Sequence, residues 1–133
     1  MANEFTEYLK KIQFAKQLKK LSKKLKGKNV AIYGTGILFQ EITTNYDLTK
    51  FDIIAVSDKK YNEYDENTDC LGYKVVSLKK LKDLKPDYVL VSIIDSIDII
   101  EDLESSIFKD LKTKIIPLVQ KPFFDILDEI WGR

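Results

Sequence analysis

The segment that most constrains the fold is an apolar run that leads into two glycines and is followed, farther along, by a second apolar run ending on a carboxylate. Residues 28–36 have the sequence KNVAIYGTG, and Asp58 closes the second run 24 residues after Gly34. A short apolar run followed by glycines indicates a strand that turns sharply into a helix. The segment therefore predicts a strand, a glycine turn, a helix and a second strand that ends beside Asp58.

The hydrophobic pattern alternates between strand-like and helical spacing along the rest of the chain. Strands are predicted at about 29–33, 52–57, 73–76, 87–92 and 114–119, and helices at about 37–46, 78–84, 96–111 and 122–131. Near-continuous apolar runs in the first, second and fourth strands indicate strands that helices cover on both faces. We predict an α/β, three-layer Rossmann-like fold with a five-stranded parallel sheet in the order 3-2-1-4-5 and additional N- and C-terminal helices.

Residues 1–27 form a separate unit in this prediction, an amphipathic helix that precedes a Rossmann-like domain at 28–133. The predicted apolar stripe consists of Phe5, Tyr8, Leu9, Ile12, Ala15, Leu18, Leu21 and Leu25. Residues 1–28 hold nine lysines against two glutamates, a formal charge of +7, which leaves −6 for the rest of the chain. Such a helix packs on its own domain or on a second copy, or lies on an anionic membrane surface.

Composition narrows the classes of protein that the sequence allows. The 133 residues suffice for one domain, and a formal net charge of +1 predicts that nucleic acid is not a partner. No apolar run is long enough to span a membrane, and the single Cys70 allows no internal disulfide, so we expect a cytoplasmic protein. The chain has no histidine and no phosphate loop of the nucleotide-hydrolase type. We therefore predict no catalytic or metal-binding residues, and enzymatic activity stays an open question.

The predicted strand order places a ligand crevice at the carboxyl ends of the first and fourth strands. Backbone N–H groups at the start of a helix bind phosphate, and a carboxylate after the second strand accepts hydrogen bonds from a ribose. The predicted cofactor-binding residues are Gly34, Thr35, Gly36, Ile37, Asp58, Lys59, Ser92 and Ile93.

Three alternatives remain open at this site. A strict dinucleotide fingerprint has a third small residue where this chain has Phe39, so the helix is not expected to approach the first strand as closely as in NAD enzymes. In one alternative, the glycines only form a tight strand-to-helix turn and Asp58 only caps a loop. Lys59 and Lys60 either meet a further phosphate or are solvated, and the polar loop 59–71 either carries specificity or only connects two elements.

The chain resembles the nucleotide-binding Rossmann domains of bacterial surface-polysaccharide enzymes, such as sugar-nucleotide acetyltransferases and dehydratases. The resemblance covers residues 28 to about 120 and is carried by residues 30–36, 51–58, 72–81 and 86–91. It implies binding at Gly34 to Gly36 and a ribose or base contact from Asp58. It also implies that transferase or dehydratase chemistry belongs to other domains of those enzymes. The residues of this chain show none of those catalytic domains.

The function predicted from these features is that of a module that binds NAD(P) or a nucleotide-sugar, accessory to surface-glycan or sugar-nucleotide metabolism. One alternative is a small oxidoreductase or methyltransferase whose site is completed by a partner or a dimer. Another is an assembly module without ligand, with the terminal helices as the contact of a homodimer.

Overall fold

A parallel sheet with helices on both faces forms the protein, for which a computed structural model describes residues 4–66 and 68–121. The strands are β1 (Asn29–Tyr33), β2 (Asp52–Ser57), β3 (Asp69–Cys70), β4 (Tyr73–Lys74), β5 (Tyr88–Val91) and β6 (Lys114–Pro117). The helices are α1 (Thr6–Lys11), α2 (Phe14–Lys24), α3 (Ile37–Asn45), α4 (Leu78–Leu84) and α5 (Ile97–Ser105), with a short 3₁₀ turn at Glu63–Asp65. The predicted helix at 122–131 lies outside the described residues.

Four strands make the main sheet, in the order β2-β1-β5-β6 and all parallel. Tyr33 at the end of β1 pairs with Ser57 of β2 and with Val91 of β5. The carboxyl ends of these three strands therefore meet at one edge. This confirms the α/β class with a parallel sheet and gives the Rossmann-like arrangement in which the strand order reverses beside β1.

The predicted five-stranded order 3-2-1-4-5 is wrong, because the segment expected as the third strand does not join the main sheet as a strand. Val75 makes a single parallel bridge to Val56, whereas β4 pairs antiparallel with β3 in a separate hairpin. The hairpin turns at Leu71 and Gly72, which both have positive φ. Ser77 then caps α4 by accepting a hydrogen bond from the Lys80 N–H at 3.2 Å. Tyr73 and Lys74 are paired within the hairpin and Ser77 begins the cap of α4, so only Val75 and Val76 contact β2 through backbone pairing.

Alternating side chains of the strands enter two separate cores. Val30 and Ile32 of β1 point into a core that they share with α1, α2 and α3. Ala31 and Tyr33 point to the opposite side, where Leu81 of α4 and other side chains from α5 cover the sheet. This alternation is what strand geometry requires, and it produces the three layers.

The N-terminal segment differs from the single helix predicted from its spacing. Gln13 adopts left-handed backbone angles, with φ 56°, and separates α1 from α2. The break changes which side chains are buried, since Phe14 is fully buried whereas Ala15 is exposed. A local periodicity argument cannot anticipate it, because the tertiary contact of Phe14 outweighs the helix propensity of Gln13.

Glu41 of α3 connects the N-terminal helices to the domain. Its carboxylate is buried and accepts hydrogen bonds from Thr6 Oγ1 at 2.9 Å and from Asn45 Nδ2 at 2.6 Å. A buried carboxylate needs such donors, because an unpaired charge in the interior is strongly destabilising. Thr6 and Glu41 thereby fix α1 against α3, the helix that begins at the glycine turn.

Candidate functional site

The first glycine of the turn closes tightly against the end of β5. Gly34 has φ +105°, and a Cβ at this position would lie 3.0 Å from Ser92 Oγ and 3.2 Å from Ile93 Cγ1. Its N–H donates to the Ser57 carbonyl oxygen at 2.9 Å. Only glycine accepts both this backbone angle and this proximity. Gly34 therefore holds the ends of β1, β2 and β5 together.

Ser92 and Ile93 lie where the sequence places them, but the hydroxyl of Ser92 contacts protein. The Ser92 hydroxyl donates to the Gly34 carbonyl oxygen, and the Ser92 N–H donates to the Tyr33 carbonyl oxygen at 2.9 Å. Ser92 is also almost completely buried. Its hydroxyl holds the glycine turn against the end of β5.

Thr35 and Asp58 form the contact at the centre of the site. The Thr35 N–H donates to Asp58 Oδ2 at 2.7 Å, and Thr35 Oγ1 lies 3.2 Å from the same oxygen. The Lys60 N–H reaches Asp58 Oδ1 at 3.4 Å. An ionised carboxylate has about four acceptor positions. The half-buried Asp58 thus keeps capacity for a further donor after orienting the turn.

Gly36 and Ile37 form the open side of the turn. Gly36 is the N-cap of α3, without a side-chain hydrogen bond to the helix, and the first turn of α3 has no acidic residue. A Cβ on Gly36 would meet no atom within 4 Å, and Ile37 is 50% exposed. The positive end of the α3 dipole therefore faces accessible space, which is an arrangement that favours anions.

The lysines after Asp58 do not join the crevice. The side chain of Lys59 is exposed, and its backbone N–H donates to the Tyr33 hydroxyl. Lys60 is also exposed, and its ammonium lies 5.3 Å from the centroid of the Tyr61 ring. Of the predicted residues, the structure thus brings together Gly34, Ser92 and Ile93, and separately Thr35 and Asp58. It leaves the Lys59 side chain in solvent.

Tyr61 and Cys70 belong to the site although the sequence did not single them out for it. Thr35 Oγ1 lies 3.3 Å from the Tyr61 hydroxyl, and Cys70 is close enough to Tyr61 to affect its ionisation. Burial raises the pKa of Tyr61, with Cys70 and Asp58 adding to the rise and the Thr35 hydrogen bond opposing it. The Tyr61 phenol is therefore neutral at pH 7 and available as a hydrogen-bond partner.

Tyr33 reaches the same edge from the other face of the sheet. Burial raises the pKa of its phenol, and the negative charges of Asp58 and Asp102 raise it further, although the Lys59 N–H acts in the opposite direction.

The sequence feature that could have identified Tyr61 as a site residue is its position three residues after Asp58, within the loop at the carboxyl edge. No periodicity marks such a residue.

A cavity of about 570 Å³ lies beyond the ends of β5 and β6. Its lining includes Ile94, Asp95, Ser96, Pro117, Val119 and Lys121. Its lining begins two residues after Ser92 in the chain, and it contains none of the predicted site residues. Gly34 and Thr35 of the turn are buried, whereas Gly36 is exposed, so the turn is accessible from the Gly36 side.

Two further properties concern the described residues alone. Within residues 4–66 and 68–121, no three Cys, Asp or Glu side chains gather as a metal ion would require. In the same part of the chain, no helix has the length and apolar character needed to cross a membrane.

The comparisons with known proteins place the chain in no family. No protein family matches the sequence, and no curated protein is significantly similar to it. Among solved structures, the chain is similar to RSP, whose crystal structure contains β-NAD⁺ and operator DNA. The identity is 21% and the TM-score 0.46, over 86% of this chain and 59% of the RSP chain. This likeness extends to the fold alone, and the resemblance to surface-polysaccharide enzymes stays a prediction.

The prediction that nucleic acid is excluded as a partner is wrong. The crystal structure of RSP, to which the chain is similar, contains operator DNA. The physical error lies in the use of net charge, since +1 for the whole chain conceals +7 within residues 1–28. Binding of a polyanion depends on the local field of a surface and not on the total charge.

Proposed function

We propose that this chain is a nucleotide-binding module that holds NAD(P) or a nucleotide-sugar at the glycine turn. The observation that carries the proposal is the hydrogen bond of 2.7 Å between the Thr35 N–H and Asp58 Oδ2. It joins the turn after β1 to the acid after β2 at the point where the strand order reverses. Ligands of open α/β sheets bind at this point.

The phosphate part of the ligand is assigned to the start of α3. Gly36 leaves open space above the helix terminus and, as the N-cap residue, makes no side-chain cap hydrogen bond. An anion placed there interacts favourably with the helix dipole and the backbone N–H groups of the first turn. The absence of an acidic residue in that turn avoids repulsion of the phosphate.

The ribose part is assigned to Asp58. Its carboxylate is held by Thr35 and Lys60 but is only half-buried, so it still accepts a hydrogen bond from a hydroxyl outside the protein. The Tyr61 hydroxyl, within reach of Thr35, provides a second polar group at the same position. A ligand with a ribose next to a phosphate matches both halves of the site.

The proposed role is binding. The chain contains no histidine, and the groups found at the turn hold and orient a ligand. An oxidoreductase or methyltransferase reaction completed by a partner, and a link to surface-glycan metabolism, remain narrower predictions from the sequence. Affinity for uridine-diphosphate sugars over NAD⁺ and NADP⁺ would support the glycan link, and the opposite preference would contradict it.

The variant Gly36→Ala separates ligand binding from folding. The added methyl meets no protein atom within 4 Å and φ is −84°, so we expect the free energy of unfolding to change by less than about 1 kcal/mol. The methyl occupies space that the phosphate needs, so we expect binding of the preferred nucleotide to weaken roughly tenfold or more. Isothermal titration calorimetry together with a urea melt measures both. Unchanged affinity would remove the start of α3 from the site.

The variant Asp58→Asn tests the ribose contact while keeping the turn. The amide oxygen can still accept from the Thr35 N–H, but the amide nitrogen then replaces Oδ1, which removes both the long contact with the Lys60 N–H and the acceptor offered to a ligand. A hydrogen bond to a charged group contributes about 1.5 to 3 kcal/mol, so affinity should fall roughly tenfold to a hundredfold. Asp52 is exposed at the opposite end of β2, and Asp52→Asn serves as the control with the same chemistry. Equal affinities of the two variants would contradict the assignment.

A further inference from the structure

The N-terminal helices carry a dense group of positive charges on their outer side. The exposed lysines of α2, which we name the lysine face, are Lys16, Lys19, Lys20, Lys23 and Lys24. The structure places them opposite the sheet, because the other side of α2 is buried in the domain core through Phe14 and Leu18. The lysine face does not include any residue of the proposed nucleotide site.

The lysine face is a linear stripe of charge. Lys16, Lys20 and Lys23 follow the i, i+4, i+7 spacing that puts side chains on one side of a helix. At 1.5 Å per residue, the stripe from Lys16 to Lys24 extends over about 12 Å. Phe14 before it and Leu25 after it are buried, so the ends of the stripe are anchored to the domain.

This charge is not neutralised within the described residues. The ion pairs found there join Lys10 to Glu7, Lys79 to Glu63 and Lys121 to Asp95, and they include no lysine of α2. Among the described residues, a dense set of acids lies on α5, which packs on the opposite face of the sheet. The two charged surfaces therefore point away from each other.

We propose that the lysine face binds the phosphate backbone of double-stranded nucleic acid without reading its sequence. A duplex is a linear polyanion with about one charge per 1.7 Å of axis, which a linear row of lysines matches. The exposed large apolar residues of the described chain are Ile37, Tyr64, Leu71 and Ile97, and none lies in the N-terminal helices. The face therefore offers neither an aromatic platform for single-stranded bases nor an apolar side for insertion into a membrane.

The test measures binding of the full chain to a labelled duplex of about 20 base pairs by fluorescence anisotropy over a range of salt concentrations. We expect affinity to fall steeply with salt, as release of counterions requires. The triple variant Lys16→Gln, Lys20→Gln and Lys23→Gln should reduce the slope of log K against log salt by roughly two to three, about 0.9 for each phosphate that a lysine no longer neutralises. Glutamine and lysine have similar helix propensities, so the fold should be kept.

A matched control removes the same charge elsewhere. Lys82, Lys109 and Lys112 are exposed and lie on or after the helices of the opposite layer. Their triple change to glutamine should leave the slope nearly unchanged. Equal effects of the two triple variants would overturn the proposal, because binding would then follow net charge alone.

Other occupants are outcomes of the same experiment. Absence of duplex binding at low salt overturns the proposal. Binding to vesicles that contain anionic lipid but not to the duplex would replace nucleic acid by a membrane surface. Self-association at low salt that the duplex does not reverse would indicate that the lysine face meets the acidic α5 of a second copy, and would also overturn it.

Discussion

Phe14→Ala is expected to lower the free energy of unfolding by about 3 to 5 kcal/mol. Phe14 is fully buried and packs edge-on against Tyr46, with 5.0 Å between the ring centroids. It lies in the core that also contains Val30 and Ile32 of β1. Its removal leaves a cavity that the rigid strands cannot close, and urea denaturation followed by circular dichroism measures the loss.

The neighbouring Ala15 provides the control. Ala15 is exposed, so Ala15→Ser should change stability by less than about 1 kcal/mol. If Phe14→Ala behaved like Ala15→Ser, the N-terminal helices would not pack on the domain as described. The pair of variants thus tests whether residues 1–27 belong to the core of the same chain.

Gly34→Ala is expected to be the second strongly destabilising change, by about 2 to 4 kcal/mol, since backbone strain and overpacking each cost about 1 to 3 kcal/mol. The backbone angle of +105° is strained for any residue with a Cβ, and the new methyl would press on Ser92 Oγ at 3.0 Å and Ile93 Cγ1 at 3.2 Å. Thermal and urea unfolding both report the change.

Comparison with Gly36→Ala makes this result specific. Both substitutions add one methyl to the same turn, but only Gly34 has a positive φ and close neighbours. A comparable loss of stability in the two variants would contradict the geometry of the turn. A loss of stability limited to Gly34→Ala would show that folding requires the first glycine and not the second. Gly36 would then remain available to contact a ligand.

The sequence predicts the meeting of the glycine turn and Asp58 because both follow parallel strands that are adjacent in the sheet. Strand type and order then bring Thr35 and Asp58 to the same edge without any knowledge of side-chain contacts. The Thr35 backbone nitrogen lies 2.7 Å from Asp58 Oδ2, which is hydrogen-bonding distance. Long apolar runs such as those of β1 and β2 carry this information reliably, because burial on both faces leaves few alternatives.

Other features depend on contacts that no local pattern contains. The break at Gln13 follows from the burial of Phe14 in the core, and the absence of the predicted fifth strand from the main sheet follows from a turn at Leu71 and Gly72. Tyr61 reaches Thr35 through the course of an irregular loop. Each result depends on tertiary packing, which overrides propensity in short segments.

Phe39 occupies the position at which a strict dinucleotide fingerprint has a third small residue. From the sequence, we expect Phe39 to keep the helix after the glycine turn farther from the first strand. In the structure, Phe39 is fully buried in the first core, 6.0 Å from Tyr73 between ring centroids. It fills the space between α3 and the hairpin, away from the open side of Gly36. The absence of a third small residue therefore does not block that side of the turn.

The central claim is that the turn and Asp58 together bind a nucleotide, and isothermal titration calorimetry of the unmodified chain tests it most directly. NAD⁺, NADP⁺ and a uridine-diphosphate sugar are titrated separately, each also into Asp58→Asn. We predict saturable heat with at least one of them and weaker binding to the variant. No heat from any of the three at millimolar ligand, in a chain shown to be folded, would contradict the claim.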